Sequence, residues 1–387
     1  MLKAVHMQKI MYRTDDKTHE LSYKRNFGLD FVRFFAIVPV LIVHYATFAL
    51  KDVSNLVYVF GDFGVEIFFA LSGFLIGGII LRDFANGFSL SVCRIFYVRR
   101  WMRTLPLYYV FFVASAYITI YGFTLDHVWS AWCLAYLVFM QNLAWPMLAA
   151  WYHESWSLAI EEWFYLLFPL LFFLLAGFKS RTRVLLIAIA MILVPLILRI
   201  VVYAPDGDLD ETVRKIVVLR LDSIAFGILA IVVATRYPRE LVYWKNLFGV
   251  VGACGIVIAT RILQGQIDVG FFFLHTFSFT LISASFALIV IWAYFTEWRA
   301  WEADSTALII RWFSTRSYAL YLCHGSVLRT MIARGWFAKT PVVSAMIFFG
   351  SSLLLAELAH RIIERPFMRM RPKELRDHRP AQPAIAT

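Results

Sequence analysis

Arg33 and His44 stand eleven residues apart in "GLDFVRFFAIVPVLIVHYATFAL", a predominantly apolar stretch. Both side chains are costly to place in hydrocarbon, and ionisable groups retained there mark substrate or proton paths. An imidazole gains and loses protons near neutral pH, so His44 is suited to general-base work. A guanidinium keeps its charge and forks two hydrogen bonds onto carboxylate or phosphate, so Arg33 is suited to holding an anion. At about 100° and 1.5 Å per residue the two share one helix face, about 16 Å apart along its axis.

Counting depth along the other apolar segments brings four more ionisable residues to the level of His44. They are Glu66, Glu161 in "ESWSLAIEEWFYLLFP", Asp222 in "LRLDSIAFG" and His324 in "SYALYLCHGSVL". Arg100 and Arg103 join Arg33 at the opposite mouth. This predicts a polar layer above a basic vestibule, in a bundle with a central cavity that serves catalysis or transport. Blander roles stand beside these. Arg220 could neutralise Asp222, and His324 could be a neutral histidine bonded across helices. His127, His153, His275 and His360 read as loop or interfacial residues.

The elements that must position these groups are membrane spans. Of 387 residues, 61% are hydrophobic and 16% charged, with mean hydropathy +0.69; a soluble domain carries about a quarter charged residues. Apolar segments fall near 29–50, 59–81, 104–121, 128–143, 154–177, 184–203, 215–235, 246–262, 271–295, 313–334 and 341–363. Basic clusters at Lys24–Arg25, Arg94–Arg103, Lys179–Arg183, Arg236–Arg239, Arg299 and beyond Arg365 are expected on the cytoplasmic side. Eleven spans cannot satisfy them all. The short segment 128–143, ending in Gln141 and Asn142, is therefore expected to dip in or lie at the interface. That leaves an all-α polytopic bundle of about ten transmembrane helices with both termini inside.

The domain reading is a cytoplasmic arm over 1–28, a transmembrane domain over 29–366 and a basic, disordered tail over 367–387. The arm has no apolar core of a signal peptide. The net charge of +11 follows the positive-inside pattern and does not call for nucleic acid. Cys93, Cys133, Cys254 and Cys323 have no paired spacing, so neither disulfides nor a metal are expected. The aromatic richness, 36 Phe, 18 Tyr and 13 Trp, reads as lipid-facing surface and interfacial belt.

Six stretches, taken in order, resemble the membrane-bound acyltransferase-3 family over about residues 28–366. "LDFVRFFAIVPVLIVHY" looks like its opening motif, with Arg33 and His44 as the basic residue and the histidine. "GVEIFFALSGFLIGGII" resembles its Phe-rich second motif, with Glu66 where many relatives have Asp. "RRWMRTLPLYY" supplies the Arg-x-x-Arg pair, Arg100 and Arg103. "SWSLAIEEWFYLLFP" is similar to the Trp-Ser-Leu and Glu motif, here Trp156, Ser157, Glu161 and Tyr165, with Trp163 where Gln is frequent. "LRLDSIAFG", with Arg220 and Asp222, and "SYALYLCHGSVL", with Tyr321 and His324, fit the later motifs, followed by "ERP" at 364–366.

The resemblance implies an integral-membrane O-acyltransferase of the bacterial inner membrane, commonly moving acetyl groups. Its donor would be cytosolic acyl-CoA, a substrate rather than a permanently bound cofactor. Its acceptor would be a hydroxyl of a sugar, lipopolysaccharide, exopolysaccharide or glycolipid on the outer side. His44 is then the expected base, oriented by Glu161 or Glu66, with Asp222 a weaker third. Arg33, Arg100 and Arg103 would hold the donor's phosphates. An extended pantetheine arm spans roughly the distance from Arg33 to His44. Trp156, Ser157, Tyr165, Arg220, Asp222, Tyr321 and His324 are expected to contact substrates. Direct transfer is favoured over an acyl-His intermediate. With so little chain after the last span, the acceptor is expected to be met directly at the membrane. Oligomeric state stays open, a homodimer among the options. The competing class is a secondary transporter using the same layer as a substrate or proton relay; a non-catalytic sensor or scaffold ranks below it.

Overall fold

The computed structural model describes residues 25–50, 55–122, 133–147, 150–204, 207–338 and 340–372. The arm through residue 24, His127, residues 128–132 and the tail from 373 lie outside them. Among the described residues the chain is all-helical. The helices are α1 (Phe27–Ala49), α2 (Asn55–Asp83), α3 (Leu90–Gly122), α4 (Cys133–Leu137), α5 (Ser155–Leu174), α6 (Ser180–Val201) and α7 (Asp222–Arg236). They continue as α8 (Pro238–Leu263), α9 (Gly270–Thr276), α10 (Ser278–Phe295), α11 (Arg299–Glu302), α12 (Thr306–Ala333), α13 (Pro341–Ala359) and α14 (Arg365–Arg369).

Eight described helical stretches are long and apolar enough to cross a membrane. The expected spans at 215–235 and 313–334 are not among them, for different reasons. Residues 210–221 are used up in a π turn and a 3-10 turn, so α7 is only 15 residues long. Helix α12 is long enough, but its arginines and serines dilute its apolar character. The basic run Arg94–Arg103 forms the first turns of α3. The expected span 271–295 divides into α9 and α10. Segment 128–143 contains only the five-residue α4 among its described residues, and Phe139 then turns the chain at φ 59°. Asn142 closes this turn, donating to the Trp156 and Lys215 carbonyls at 3.1 and 2.5 Å. In return its own carbonyl accepts from Val217 N–H at 2.9 Å. The amide thus satisfies backbone groups that the broken helices leave open.

The core is built where α2 packs on α1 and α7, and α12 on α1. Two glycines bring α2 and α7 into backbone contact. A Cβ on Gly73 would lie 1.9 Å from the Ile224 carbonyl oxygen, and one on Gly227 2.1 Å from that of Ala70. In lipid, where apolar side chains gain little by leaving their surroundings, such close approach is what drives helix association. The outward faces carry exposed Leu193, Val194 and Ile197 on α6 and Val250 and Val257 on α8, an apolar surface suited to acyl chains.

Candidate active site

A cavity of about 520 Å³ runs between α1, α2, α3, α5 and α12. Arg33, Arg82, Arg100 and Arg103 line one end; Glu161, Tyr165 and Ser72 line the wall, and Ser157 and Tyr321 sit at the other end. The helices set this order. Arg33 is two turns into α1, Arg100 and Arg103 are one turn apart on α3, and Ser157, Glu161 and Tyr165 recur every fourth residue on α5, making one stripe. Between Arg82 and Val65 the cavity follows α2 for about 25 Å.

Charge in the cavity is lopsided. Arg82 bonds Asp83 at 2.9 Å, and Arg33 lies 3.7 Å from Asp30, whose carboxylate is also held by Arg25. Arg100 stands 5.5 Å over the Tyr165 ring. Glu161 accepts from the Tyr165 hydroxyl at 3.1 Å, and that hydroxyl also meets Ser72 at 3.1 Å. Four guanidiniums against one lining carboxylate favour a polyanionic guest.

The cavity ends at a hydrogen bond of 2.8 Å between Ser157 and Tyr321. One layer further on lie the two histidines. The His324 ring is 5.8 Å from that of Tyr321, and the His44 and His324 rings are 4.9 Å apart, edge to face. Each ring is oriented by its own helix. His44 Nδ1 bonds the Val40 carbonyl at 2.8 Å, and His324 Nδ1 bonds the Leu320 carbonyl at 3.0 Å. A carbonyl can only accept, so both Nδ1 atoms carry the hydrogen, and in the neutral ring each Nε2 presents a lone pair. This differs from the expected carboxylate–histidine arrangement. Among the described residues neither Glu161 nor Glu66 bonds His44; the ring is held by a carbonyl four residues back on its own helix.

Glu66, Arg220 and Asp222 form a separate buried group. Arg220 donates to Glu66 at 2.6 Å and to Ser223 at 2.6 Å, and stacks 4.1 Å over Phe279. Arg199 donates to Asp222 at 2.8 Å and to the Leu219 and Thr276 carbonyls. Arg220 Nε is 3.8 Å from Asp222. So Arg199, a residue not singled out in the sequence, is the principal partner of Asp222. Trp156 is buried beneath the Arg214 guanidinium at 4.8 Å, off the cavity.

Beyond α5, outside the spanning helices, Arg214 bridges Asp62 and Asp210 at 2.9 and 2.6 Å. Lys215 bonds Asp210 and Glu211, both at 2.5 Å. Burial would raise the Asp210 carboxyl, but Arg214 and Lys215 outweigh it and hold it at about 2. His153, in the turn before α5, is pushed down to about 4 by burial and by Lys215, so it is neutral at physiological pH.

Glu154 and Arg329 are two further polar residues that the sequence pattern does not single out. Arg329 donates to both Glu154 oxygens at 3.2 Å and to Ser115 at 2.8 Å. The carboxylate occupies the space a side chain at position 325 would need, since a Cβ there would lie 1.0 Å from Glu154 Oε1. The glycine after His324 in "CHGSV" is the one signal in the sequence that points to it. In a helix, Gly→Ala ordinarily stabilises by about 1 kcal/mol. Gly325→Ala should do the reverse, lowering the thermal midpoint in detergent by several degrees. Gly350→Ala, at a helical site with open space around it, should leave it unchanged or raise it. Equal midpoints for both variants would show that the Glu154 contact is unimportant.

The sequence has counterparts among known proteins. A family model described as an acyltransferase domain matches residues 26–361. "Putative peptidoglycan O-acetyltransferase YrhL" of Bacillus subtilis is 27% identical over 373 residues, covering 88% of this chain and 54% of that protein. "O-acetyltransferase OatA" of Staphylococcus aureus is 27% identical over 358 residues, covering 88% of this chain and 56% of its own length. The chain thus spans just over half the length of these relatives. No solved structure matches. With all six motifs inside the matched region and most of the chain covered, this membrane protein belongs to the acyltransferase-3 family.

Proposed function

We propose that the protein is an O-acyltransferase of the bacterial inner membrane. It takes an acyl group, in the first instance acetyl, from cytosolic acyl-CoA and passes it to a saccharide hydroxyl on the outer face. The carrying observation is the cavity itself, basic at one end and closed one layer short of a histidine with a free Nε2 lone pair. The donor's phosphates sit on Arg33, Arg100 and Arg103, with Arg82 as a fourth guanidinium. The pantetheine arm follows α2 and α5, and the thioester passes between Ser157 and Tyr321 to reach His44. The acceptor approaches from the opposite side, and His44 Nε2 removes its proton as oxygen attacks the acyl carbon. The names of the relatives support an O-acetyl product, and one of them specifies peptidoglycan. This favours a polysaccharide or glycolipid acceptor.

Two measurements test the reading. Cells expressing the protein should gain base-labile acyl groups on their glycans or glycolipids, seen by mass spectrometry as a mass lost when the gene is removed. Arg100→Ala and Arg103→Ala should each weaken coenzyme A binding by about 10-fold or more, as expected for losing a charge-assisted phosphate contact of about 1.5–3 kcal/mol. Unchanged coenzyme A affinity in both variants would reject the phosphate site.

A further inference from the structure

We infer that His324 is a second catalytic group, the one that returns the proton to the departing thiolate. The inference rests on the acyl-CoA reading above. Three observations carry it. His324 is wholly buried, yet among the described residues its Nε2 has no hydrogen-bond partner. A buried polar atom without a partner costs free energy and calls for an explanation. Its Nδ1–H is committed to the Leu320 carbonyl, so Nε2 is an acceptor. Its ring touches that of His44 on one side and that of Tyr321, at the end of the cavity, on the other.

The order of the rings assigns the roles. His44 is partly exposed, whereas His324 borders the residue that closes the donor cavity. A thioester arriving past Tyr321 therefore presents its sulfur to His324, and an acceptor arriving from the other side meets His44. As the acceptor oxygen bonds to the acyl carbon, its proton goes to His44 Nε2. The carbon–sulfur bond breaks, with its electron pair remaining on sulfur. The proton crosses from His44 Nε2 to His324 Nε2 and from there to the thiolate. Coenzyme A leaves as the thiol, the ester leaves with the acceptor, and both rings return to the Nδ1–H form in which they began.

The test uses the full-length protein. Asn at 324 keeps a donor near the Leu320 carbonyl and Gln keeps the side-chain length, but neither shuttles protons. His324→Asn and His324→Gln are expressed in cells, and total base-labile acyl groups on glycans and lipids are measured as free acids. The same variants are purified for coenzyme A affinity and thermal midpoint. We expect acylation to fall about 100-fold or more, with coenzyme A affinity within twofold of wild type. Acylation near the wild-type level in either variant overturns the assignment. Loss of coenzyme A binding together with acylation in both variants also overturns it, in favour of a packing role. Wild-type protein that adds no base-labile acyl groups overturns instead the acyltransferase reading beneath it.

Discussion

Replacing His44 with alanine should abolish acyl transfer and leave the protein folded in the membrane. Losing a general base lowers the rate by about 10²–10⁴-fold, which in cells is indistinguishable from no activity. The structural cost is small for a stated reason. The ring's hydrogen bond among the described residues is to Val40, one turn back on its own helix, so no hydrogen bond between helices is lost with it, only the edge-to-face contact with His324. Its neighbour His324 is held independently by Leu320. His44→Ala should therefore keep the wild-type thermal midpoint within a few degrees and bind coenzyme A normally, because the guanidiniums lie at the far end of the cavity. His44→Gln should be equally inactive, since its amide cannot take a proton. Normal acceptor acylation by either variant would remove His44 from the chemistry. Inactivity with a collapsed midpoint would instead give it a packing role.

The distance that motivates this prediction is legible in the sequence. Two residues eleven apart on one helix have a fixed axial separation whatever surrounds them, so Arg33 and His44 must lie about 16 Å apart. That these groups sit on helices is legible too: Glu66, Glu161, Asp222 and His324 all fall in helical segments. What one sequence cannot supply is azimuth, the direction each helix turns toward its neighbours. Azimuth is what divides the expected single polar layer. Glu161 faces the cavity with Arg100 and Tyr165, whereas Glu66 and Asp222 turn the other way, toward Arg220 and Arg199. His44 and His324 instead face each other, ring edge to ring face. The spans at 215–235 and 313–334 show a second limit. Hydropathy marks where helix can be buried, but the turns at 210–221 combine local bonds with hydrogen bonds to a distant Asn142, which no local pattern encodes.

That division makes the role of Glu66 testable, and the expected effect is large. Arg220 and Glu66 are both essentially inaccessible, at 0% and 1% side-chain exposure. Coulomb attraction across 2.6 Å roughly offsets the cost of taking both charges out of water, so the pair adds little net stability. Removing one partner is a different matter. Arg220→Leu would strand a buried carboxylate and should destabilise by about 3–5 kcal/mol, with loss of the Phe279 stacking adding to it. A chain that depends so tightly on the pair should fail to accumulate in membranes. The double variant Glu66→Leu/Arg220→Leu removes both charges and should recover most of that stability. It also separates two roles that the single variant confounds. If Glu66 serves only to pair with Arg220, the double variant transfers acyl groups at a rate within about an order of magnitude of wild type. If Glu66 takes part in the chemistry, the double variant is folded and inactive. A double variant no more stable than Arg220→Leu would show that the arginine is held for contacts other than Glu66, with Asp222, 3.8 Å from its Nε, the next partner to remove.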